Sequence, residues 1–433
     1  MKDDNKPVSK QRRSLMQAIA AGSATSFFGP WAVNHAWAQS AQKKPLVIGL
    51  TMDASGQYGA SGGEERLGAM MAIKEFNEKG GVLGRPIEAL HMDTETTPAT
   101  GSRVAERMIT RNEAAFLIGA LHSGVANAIS QVAQKYGCVY LNTNSSSPTE
   151  AGKDCHRVKF VWDGNGTNFA HAIVKNALKV NGKNWVLLTN DYVWGHNTSK
   201  ATRTLVEANG GKIVEELMVP QNTRDFSAYL IKLQQLKPQV VATAVGGDDI
   251  KALRKQVVQL KLNRSFAWIN NQQDWPDIYG LGPEDIFGVF GTSWYYRLDL
   301  PGVKEFVAAY QKAYPGVQIK VPGNVYYNGY MATRELLRAV ERAGSTNNIK
   351  VIKELENLKV PARERMQHFD AYMNPATHQM QQTIYMATYN DAPVEKDDIY
   401  KILANVPPQE VEDKDGPAAC KLESYESTPT YEV

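Results

Sequence analysis

Residues 114–142 read AAFLIGALHSGVANAISQVAQKYGCVYLN, two short apolar runs separated by a longer mixed segment. The runs AAFLIGA and CVYLN contain no charged residue, which is typical of strands that are buried on both faces of a sheet. The segment between them predicts a helix over residues 124–136. Because a helix that connects two neighbouring strands leaves them parallel, this stretch predicts a βαβ unit and therefore an α/β fold.

The same alternation of strand and helix continues in both directions. Upstream, LVIGLTM (46–52) predicts a strand. The helix after it is predicted by apolar residues that recur at helical spacing: Leu67, Met70, Ile73 and Phe76. A second series of strands and helices begins after a polar gap, with VKFVWD (158–163). Two such series predict two doubly wound α/β lobes, each with a parallel sheet.

Small polar residues follow the carboxyl ends of two predicted strands. Ser123 lies where the helix 124–136 begins, and residues 142–147 read NTNSSS. Ligand-facing loops of open α/β sheets lie at these ends. A serine hydroxyl, the free N–H groups of a helix start and the helix dipole together form a receptor for a carboxylate or another anion. Simple helix capping by Ser123 is the alternative, since serine is a preferred N-cap residue.

The first 38 residues have the features of an export signal. Lysines and arginines precede an uncharged stretch, residues 14–38, that ends in the small-x-small cleavage pattern Ala36-Trp37-Ala38. The segment QRRSLMQ resembles a twin-arginine signal, so we predict export by that route and cleavage after Ala38. No later run reaches the roughly 18 apolar residues that a membrane span needs. We therefore expect a mature chain in the periplasm, without membrane insertion.

The formal net charge of the whole chain is +3, and the predicted signal accounts for all of it. A neutral mature chain argues against nucleic acid or an anionic membrane as a partner, because both need concentrated cationic surface. Of the three cysteines, Cys138 lies in a predicted apolar strand, where a buried thiol is the simplest interpretation. An oxidising compartment then allows a disulfide between Cys155 and Cys420.

Motifs for catalysis and cofactor binding are weak. Residues 59–63, GASGG, match the G-x-S-x-G of serine hydrolases, but Ser61 lies about nine residues beyond its strand and not at a sharp strand-to-helix turn. The histidines lack H-E-x-x-H spacing, the cysteines lack C-x-x-C, and no helix opens on G-x-G-x-x-G or a P-loop. We therefore expect no metal, no cofactor and no enzymatic activity.

Linked motifs along the mature chain resemble one family. In chain order they are VIGLTMDASGQYGASG, FNEKGGVLGRPIEALHMD, FLIGALHSG, NTNSSSPT, NDYVWG and RDFSAYLIKLQQLKPQVV. The series is similar to the leucine/isoleucine/valine-type periplasmic solute-binding proteins of ABC importers (type I periplasmic binding proteins), and in particular to the branch that takes up aromatic or other organic acids. The resemblance implies two α/β lobes joined by three crossing segments, closure on a small ligand, a permease partner and a monomer.

The resemblance also implies where the lobes divide. Crossing segments are expected near Trp162, Gly291 and His368. The expected lobes are residues 39–161 with 292–367, and residues 162–291 with 368–400, followed by a tail of residues 401–433 that packs back. The aromatic-acid branch has the motif GKDC, here residues 152–155, and a late cysteine, here Cys420, which supports the disulfide.

Family ligand positions in the first lobe can be carried over one at a time. An aromatic residue after the first strand corresponds to Tyr58. The serine that receives the ligand carboxylate corresponds to Ser123, and small residues that donate backbone and hydroxyl groups correspond to Ser145 and Ser146. His122, next to Ser123, is a further candidate, with a solvated loop residue as the alternative interpretation.

The second lobe departs from the family at one position. Trp194 corresponds to a family tyrosine, so the aromatic face is retained while the hydroxyl becomes an indole N–H. Amino-acid-binding members have an acid after the strand FAWIN to neutralise the ligand ammonium, but this chain has Asn270-Asn271-Gln272-Gln273. We expect the amides of residues 270–273, Asn270 and Asn271 among them, to contact the ligand from the second lobe. A buried ammonium without a counter-charge is costly, so we also expect these residues to exclude standard amino acids. The alternative sources of that charge are Asp191, Asp248 and Asp274.

These features favour an extracytoplasmic solute-binding protein that delivers an amino-acid-like, amide or aromatic acid ligand to an ABC importer by hinge closure. The aromatic cluster Trp294–Tyr296 is expected to contribute to the site. A cofactor-carrying periplasmic oxidoreductase is one alternative, because twin-arginine export often serves proteins that fold around a cofactor. A sensory binding protein that presents its closed form to a receptor is another.

Overall fold

The computed structural model describes residues 43–414 and 416–433, and the predicted export signal lies outside them. The strands are β1 (Leu46–Leu50), β2 (Ile87–His91), β3 (Phe116–Ile118), β4 (Val139–Asn142), β5 (Lys159–Val161), β6 (Asn184–Asn190), β7 (Lys212–Val219), β8 (Val240–Ala244), β9 (Ala267–Asn270), β10 (Val289–Thr292), β11 (Lys359–Val360), β12 (Ala371–Asn374), β13 (Gln379–Gln381), β14 (Ile384–Tyr389) and β15 (Tyr400–Val406). The helices are α1 (Gly59–Glu78), α2 (Pro98–Asn112), α3 (Ser123–Tyr136), α4 (Gly166–Asn181), α5 (Val193–Ala208), α6 (Ser227–Leu236), α7 (Gly247–Gln259), α8 (Trp275–Ile278), α9 (Val303–Ala313), α10 (Asn324–Ala343), α11 (Asn348–Glu356), α12 (Ala362–Arg365), α13 (Pro408–Val411) and α14 (Gly416–Ala419). Within the described ranges, no helix has the length and apolar character needed to cross a membrane.

Two sheets organise these elements. The first has the strand order β11-β12-β13-β5-β4-β3-β1-β2, and the second has the order β15-β14-β10-β9-β8-β6-β7. Strands β1 to β5 pair in parallel, as do β6 to β10. Antiparallel pairs lie at one end of each sheet. The predicted class of two doubly wound α/β lobes is therefore confirmed. We call the parts of the chain built on these sheets the first lobe and the second lobe.

The chain passes between the sheets at residues 162–165, after β10, and at residues 382–383. The third passage was expected near His368, and this prediction is wrong because β12 and β13 both belong to the first sheet. Val161 N–H donates to His378 O at 2.8 Å, which joins β13 to β5. β12 and β13 are short and carry polar residues, Asn374 in β12 and Gln379 and Gln381 in β13, so their sequence does not indicate buried strands.

The carboxy-terminal residues divide between the two lobes. β15 pairs with β14 in the second sheet, whereas Cys420 forms the predicted disulfide with Cys155, with Cα atoms 5.7 Å apart. The last residues then lie on the first lobe, where Tyr431 Oη donates to Ala114 O at 2.8 Å. Cys138 is a buried free thiol whose pKa is raised by burial. The expected tail of residues 401–433 therefore contributes to both lobes.

Helices α1 and α10 pack closely because each has a glycine at the contact. A Cβ atom on Gly68 would lie 2.1 Å from Tyr326 O, and one on Gly329 would lie 2.3 Å from Glu65 O. A larger residue at either position would therefore push the helices apart. Because α1 begins directly after Tyr58, this contact fixes where the β1–α1 loop meets the second lobe.

Candidate ligand-binding site

The carboxyl ends of six strands surround a small cavity. Its lining residues are Tyr58, Leu121, Asn144, Ser146, Tyr192, Trp194, Gly246, Gln272, Asp274 and Asp277. They follow β1, β3, β4, β6, β8 and β9, so both lobes contribute. The space measures about 20 Å³, where one water molecule needs roughly 10–15 Å³ on the same scale. The two lobes are therefore closed on each other here.

Three aromatic side chains form one part of the lining. The Tyr58 and Tyr192 hydroxyls come from different lobes and share a hydrogen bond of 2.5 Å. Burial raises the pKa of both tyrosines, so both are neutral. The ring of Trp194 lies 6.0 Å from that of Tyr192, centroid to centroid. Its buried Nε1 has no hydrogen-bond partner among the described residues, so it is an available donor for a ligand oxygen.

Three buried aspartates lie in or next to the lining. Asp274 Oδ1 accepts hydrogen bonds from Asn324 Nδ2 at 2.8 Å and from Gln272 Nε2 at 3.3 Å. Gln272 Nε2 also donates to Asp163 Oδ2 at 3.2 Å. Burial raises the pKa of Asp163 to about 7, and burial together with carboxylate repulsion raises the pKa of Asp274 and Asp277. No lysine, arginine or histidine is among the described residues that line the cavity.

A short helix brings two of these aspartates to the cavity. α8 begins at Trp275, directly after Asp274, and contains Asp277. Trp275 is buried, and its ring centroid lies 5.1 to 5.8 Å from those of Tyr295, Tyr296 and Tyr400. Of the three alternative acids named from the sequence, Asp274 lines the cavity, whereas Asp191 and Asp248 do not. Asp277 was not predicted as a site residue. Pro276 is favoured at a helix start, so it indicates a helix after β9 that could have pointed to Asp277.

The aromatic cluster Trp294–Tyr296 packs in the core and does not line the cavity. Trp294 stacks on Tyr327 with ring centroids 5.0 Å apart. Tyr295 and Tyr296 surround Trp275. The cluster was expected to contribute to the site, but two of its rings anchor α8 and the third packs on Tyr327, so none of them reaches the cavity.

Ser146 is placed differently from the other two predicted serines. It lines the cavity, and its Oγ donates to Gln272 Oε1 across the two lobes. Ser123 and Ser145 are fully buried outside the lining, with their hydroxyl oxygens 2.8 Å apart. Asn144, from the same NTNSSS stretch, also reaches the cavity.

Ser123 and Ser145 belong to a network around an internal carboxylate. Ser145 Oγ donates to Glu150 Oε1, and Asn142 Nδ2 donates to Glu150 Oε2. Glu150 is fully buried, which raises its pKa, while the charge of Lys159 and a hydrogen bond from Ser123 act in the opposite direction. The anion receptor predicted at the start of α3 therefore contains an anion of the protein itself.

We expect Ser123→Ala and Ser146→Ala to have different effects. Ser123→Ala should lower the free energy of unfolding by about 1 to 2 kcal/mol, because it leaves buried partners unsatisfied, and should leave ligand affinity unchanged. Ser146→Ala should weaken ligand binding by about 1 kcal/mol through loss of a cavity-lining hydroxyl. Urea unfolding and calorimetric titration measure the two effects. The opposite pattern would assign the ligand carboxylate to Ser123.

His122 connects the two lobes beside the cavity. Its Nδ1 accepts from Val125 N–H at 3.3 Å, so the side chain that caps α3 is His122 and not Ser123. Its Nε2 lies 3.0 Å from Gln221 Nε2, and its ring stacks on Tyr192 at 4.5 Å. Burial lowers its pKa to about 4, so the ring is neutral. The alternative of a solvated loop residue is wrong, and His122 supports a lining residue without itself lining the cavity.

Asn270 and Asn271 do not line the cavity. Asn270 Nδ2 donates to Gln273 Oε1 at 2.9 Å, and Asn271 Nδ2 donates to Thr202 Oγ1 at 2.7 Å. These amides hold the loop that follows β9. Gln272 is the residue of this amide stretch that reaches the cavity, so nothing in the geometry makes Asn270 and Asn271 ligand contacts.

The weak catalytic motif has no structural counterpart of the expected kind. Ser61 lies inside α1 and is buried, whereas a nucleophile elbow needs a serine exposed on a turn. Within residues 43–414 and 416–433, no group of His, Cys, Asp or Glu side chains is arranged to hold a metal ion.

We expect stability without added ligand to rise as the pH falls from about 8.5 to 6.5. Burial raises the pKa of Asp163 and Glu64 to about 7 and that of Asp53 to about 6, above ordinary values of 3.8 to 4.5. The folded chain therefore binds protons that the unfolded chain has already released, and acidification through this window favours folding. The pKa of His122 is lowered from the ordinary histidine value of 6.5. Acidification below that value therefore protonates this histidine in the unfolded chain before the folded one, which lowers stability.

Urea unfolding at several pH values across this window measures the effect. Asp163→Asn should make the dependence shallower, because one of the proton-binding groups is then absent. A stability that falls on acidification from about pH 8.5 to 6.5 would contradict the assigned carboxyl groups.

Comparisons with known proteins agree with this geometry. The chain is 23% identical over 313 residues to the Leu/Ile/Val-binding protein BraC3 of Rhizobium johnstonii, covering 71% of this chain and 82% of the relative. A crystal structure of a periplasmic binding protein from Burkholderia mallei has 25% identity and a TM-score of 0.80, and the match covers 87% of this chain and 98% of that one.

Solved structures with lower identity share the fold. A leucine binding protein from Thermotoga maritima is 19% identical, with a TM-score of 0.74 and coverage of 84% of this chain and 99% of that one. A solute binding protein of R. palustris, in complex with benzoate, is 20% identical, with a TM-score of 0.74 and coverage of 84% and 97%. The sequence model of the family described as periplasmic binding protein matches residues 45–393. The chain therefore belongs to the periplasmic binding protein family, whose members are substrate-binding proteins and not enzymes.

Proposed function

We propose that this protein binds a small solute carrying an ammonium or amide N–H group between its lobes and delivers it to the permease of an ABC importer. The observation that carries the ligand class is the charge of the cavity lining. Asp274 and Asp277 are part of it, and no cationic side chain is among its described residues. This replaces the expectation, drawn from Asn270 and Asn271, that amino acids are excluded.

The electrostatic argument favours a nitrogen-bearing ligand. Two buried carboxylates repel each other, so a ligand ammonium between or beside them relieves that repulsion and gains charge-assisted hydrogen bonds. A ligand carboxylate in the same place would add to the repulsion. Because burial raises the pKa of Asp274 and Asp277, an ammonium ligand should bind more weakly as the pH falls and these groups become protonated.

The other lining groups suit the opposite end of such a solute. Trp194 Nε1 is an unsatisfied donor, and Ser146 and the Tyr58–Tyr192 hydroxyl pair add neutral hydrogen-bonding groups. A carbonyl or carboxylate oxygen can accept from these donors. An amino acid or a primary amide combines both ends in one small molecule.

An organic acid without nitrogen is the second candidate. The indole donor of Trp194 favours it, as does the benzoate in the similar solute binding protein of R. palustris. Such an acid would need Asp274 or Asp277 in the protonated form, so its affinity should increase on acidification. The sign of the pH dependence therefore separates the two candidates.

Closure of the two lobes is the proposed mechanism of capture. Contacts between lobes support it: Gln57 Nε2 donates to Gly246 O at 3.1 Å and to Asp249 Oδ2 at 3.2 Å. Asn197 Nδ2 donates to Ser147 Oγ at 3.2 Å. The present space of about 20 Å³ holds about one water molecule, so a larger solute must take the place of some contacts between the lobes. A solute that contacts both lobes does so only in a closed form, so it shifts the open–closed equilibrium towards closure.

The proposal includes a cellular location and a membrane partner. We infer a periplasmic location from the twin-arginine-like segment and the family, with a monomeric binding protein that docks on a permease in its closed form. A sensory role would use the same site, with a receptor that binds the closed form in place of the permease. Binding to the permease reconstituted with its ATPase, and stimulation of ATP hydrolysis, would favour transport.

A thermal-shift screen at about pH 8 tests the ligand class, since ligands that bind the folded state raise its melting temperature. The panel contains leucine, leucinamide, benzamide, benzylamine, benzoate and 4-hydroxybenzoate. We expect shifts with nitrogen-bearing members, loss of those shifts in Asp274→Asn, and a smaller radius of gyration by X-ray scattering with a hit. Shifts confined to the two nitrogen-free acids, or none with the panel, would overturn the proposed class.

A further inference from the structure

The carboxy-terminal chain makes a fourth passage between the lobes. It leaves the second sheet at the end of β15, forms α13 and continues to the first lobe. Val411, the last residue of α13, is buried with Phe169 and Ile384. Phe169 lies just beyond the first passage, at residues 162–165, and Ile384 just beyond the third. The fourth passage therefore lies at the hinge itself.

Two consecutive residues of this passage, Val411 and Glu412, form hydrogen bonds with different lobes. Val411 O accepts from Asn168 Nδ2 at 2.7 Å, on helix α4 of the second lobe. The next residue, Glu412, accepts through Oε1 from Asn374 Nδ2 at 3.0 Å, on strand β12 of the first lobe. Consecutive Cα atoms are about 3.8 Å apart, so a rotation that moves Asn168 away from Asn374 farther than the Glu412 side chain can follow breaks one of these hydrogen bonds.

A disulfide and a docked tail hold the far end of the passage on the first lobe. Cys420 is bonded to Cys155. Three residues later, the Glu423 carboxylate lies 2.7 Å from His156 Nδ1 and accepts from Arg157 N–H at 2.7 Å. Glu412 and Cys420 are therefore both attached to the first lobe, Cys420 covalently.

We propose that this fourth passage is a hinge strap that favours the closed form, and that the Cys155–Cys420 disulfide keeps it in place. Opening of the lobes breaks the hydrogen bond of Val411 or that of Glu412, so the intact strap adds to the free energy of opening. The disulfide keeps the released segment next to its site at a high effective concentration, so its bonds re-form on closure. Loss of the disulfide should shift the equilibrium towards the open form and speed the escape of a captured solute.

This inference rests on the proposed closure of the lobes but needs no knowledge of the ligand. The test is therefore hydrogen–deuterium exchange without added solute, on the full mature chain and its Cys155→Ser/Cys420→Ser double variant. We expect amides of residues 144–147 and 192–194, which face each other across the cavity, to exchange at least about threefold faster in the double variant. Amides of β3 and β6, inside the two sheets, should exchange at unchanged rates.

Tyr431→Phe is the matched control. It removes a hydrogen bond between the tail and Ala114 beyond the disulfide while leaving the passage intact, so the cavity amides should exchange as in the unmodified chain. Equal exchange of these amides with and without the disulfide, or acceleration spread evenly over both sheets, would overturn the strap. If the double variant does not fold, the same comparison is made on folded protein before and after reduction by a phosphine. Absence of ligand binding in the separate solute screen would bear on the proposed function and not on this result.

Discussion

Asp274→Asn is expected to weaken binding of an ammonium-bearing solute by about 2 to 5 kcal/mol, the usual effect of removing one member of a buried charge pair. Asn324 Nδ2 and Gln272 Nε2 both donate to Asp274 Oδ1, and an asparagine oxygen can still accept both bonds. The substitution therefore removes the charge with little change of shape. Calorimetric titration with a hit from the solute screen measures the loss.

The same variant should be more stable than the unmodified chain without ligand at about pH 8. Burial raises the pKa of Asp274, so the ionised form costs folding free energy at a pH where the unfolded chain is ionised anyway. Replacing the carboxylate by a neutral amide removes that cost. A gain in stability with a loss of binding is the signature of a functional charge.

Asp248→Asn is the matched control for Asp274→Asn. Asp248 is also an aspartate near the site in sequence, but it is partly exposed and pairs with Arg224 at 3.3 Å and with Lys251 at 3.4 Å. Its replacement should leave affinity unchanged. Equal losses in both variants would indicate a general electrostatic effect, and no loss in Asp274→Asn would remove this residue from the site.

Glu150→Ala is expected to lower the free energy of unfolding by about 2 to 4 kcal/mol, because two buried hydrogen bonds to its carboxylate are lost and a charge that favours the Lys159 ammonium is removed. Lys159 is buried, and the Glu150 charge raises its pKa against the effect of burial. Asn142 Nδ2 and Ser145 Oγ would also lose their acceptor. Urea unfolding measures the change, with Glu410→Ala, at an exposed position, as the control that should have no measurable effect.

Glu150→Gln separates the charge from the hydrogen bonds. The glutamine keeps an oxygen for Asn142 or Ser145 while removing the attraction to Lys159, so we expect a smaller loss than with alanine. A stability change below about 0.5 kcal/mol in Glu150→Ala, the range of ordinary surface substitutions, would show that this network does not hold the loop after β4.

The sequence predicts the lobes well because local patterns determine them. Apolar runs such as AAFLIGA are strands buried on both faces, and their alternation with helices requires parallel sheets. β12 and β13 were not predicted because β13 pairs with β5, which is more than 200 residues away in the chain, and β12 joins the sheet through β13. The fourth passage was not predicted for the same reason, since the bonds of Val411 and Glu412 are long-range.

The site shows the same division between local and distant causes. Tyr58, Ser146 and Trp194 lie close to the carboxyl ends of strands, Trp194 in the first turn of α5, so topology alone brings them to the cavity. The placement of Asp274 depends on the anchoring of Trp275 among distant tyrosines. Ser123 was assigned to a ligand because nothing in its own segment reveals that Glu150 supplies an internal carboxylate.

Calorimetric titration with matched pairs of solutes is the most direct test of the central claim, that buried carboxylates between the lobes select a nitrogen-bearing solute. Each pair keeps the apolar body and differs in the nitrogen group: leucine with 4-methylpentanoate, and benzamide with benzoate. At about pH 8 we predict a saturable heat of binding for the nitrogen-bearing member of at least one pair. Its binding should weaken as Asp274 and Asp277 become protonated towards about pH 6. Tighter binding of the nitrogen-free acids, strengthening on acidification, would contradict the account.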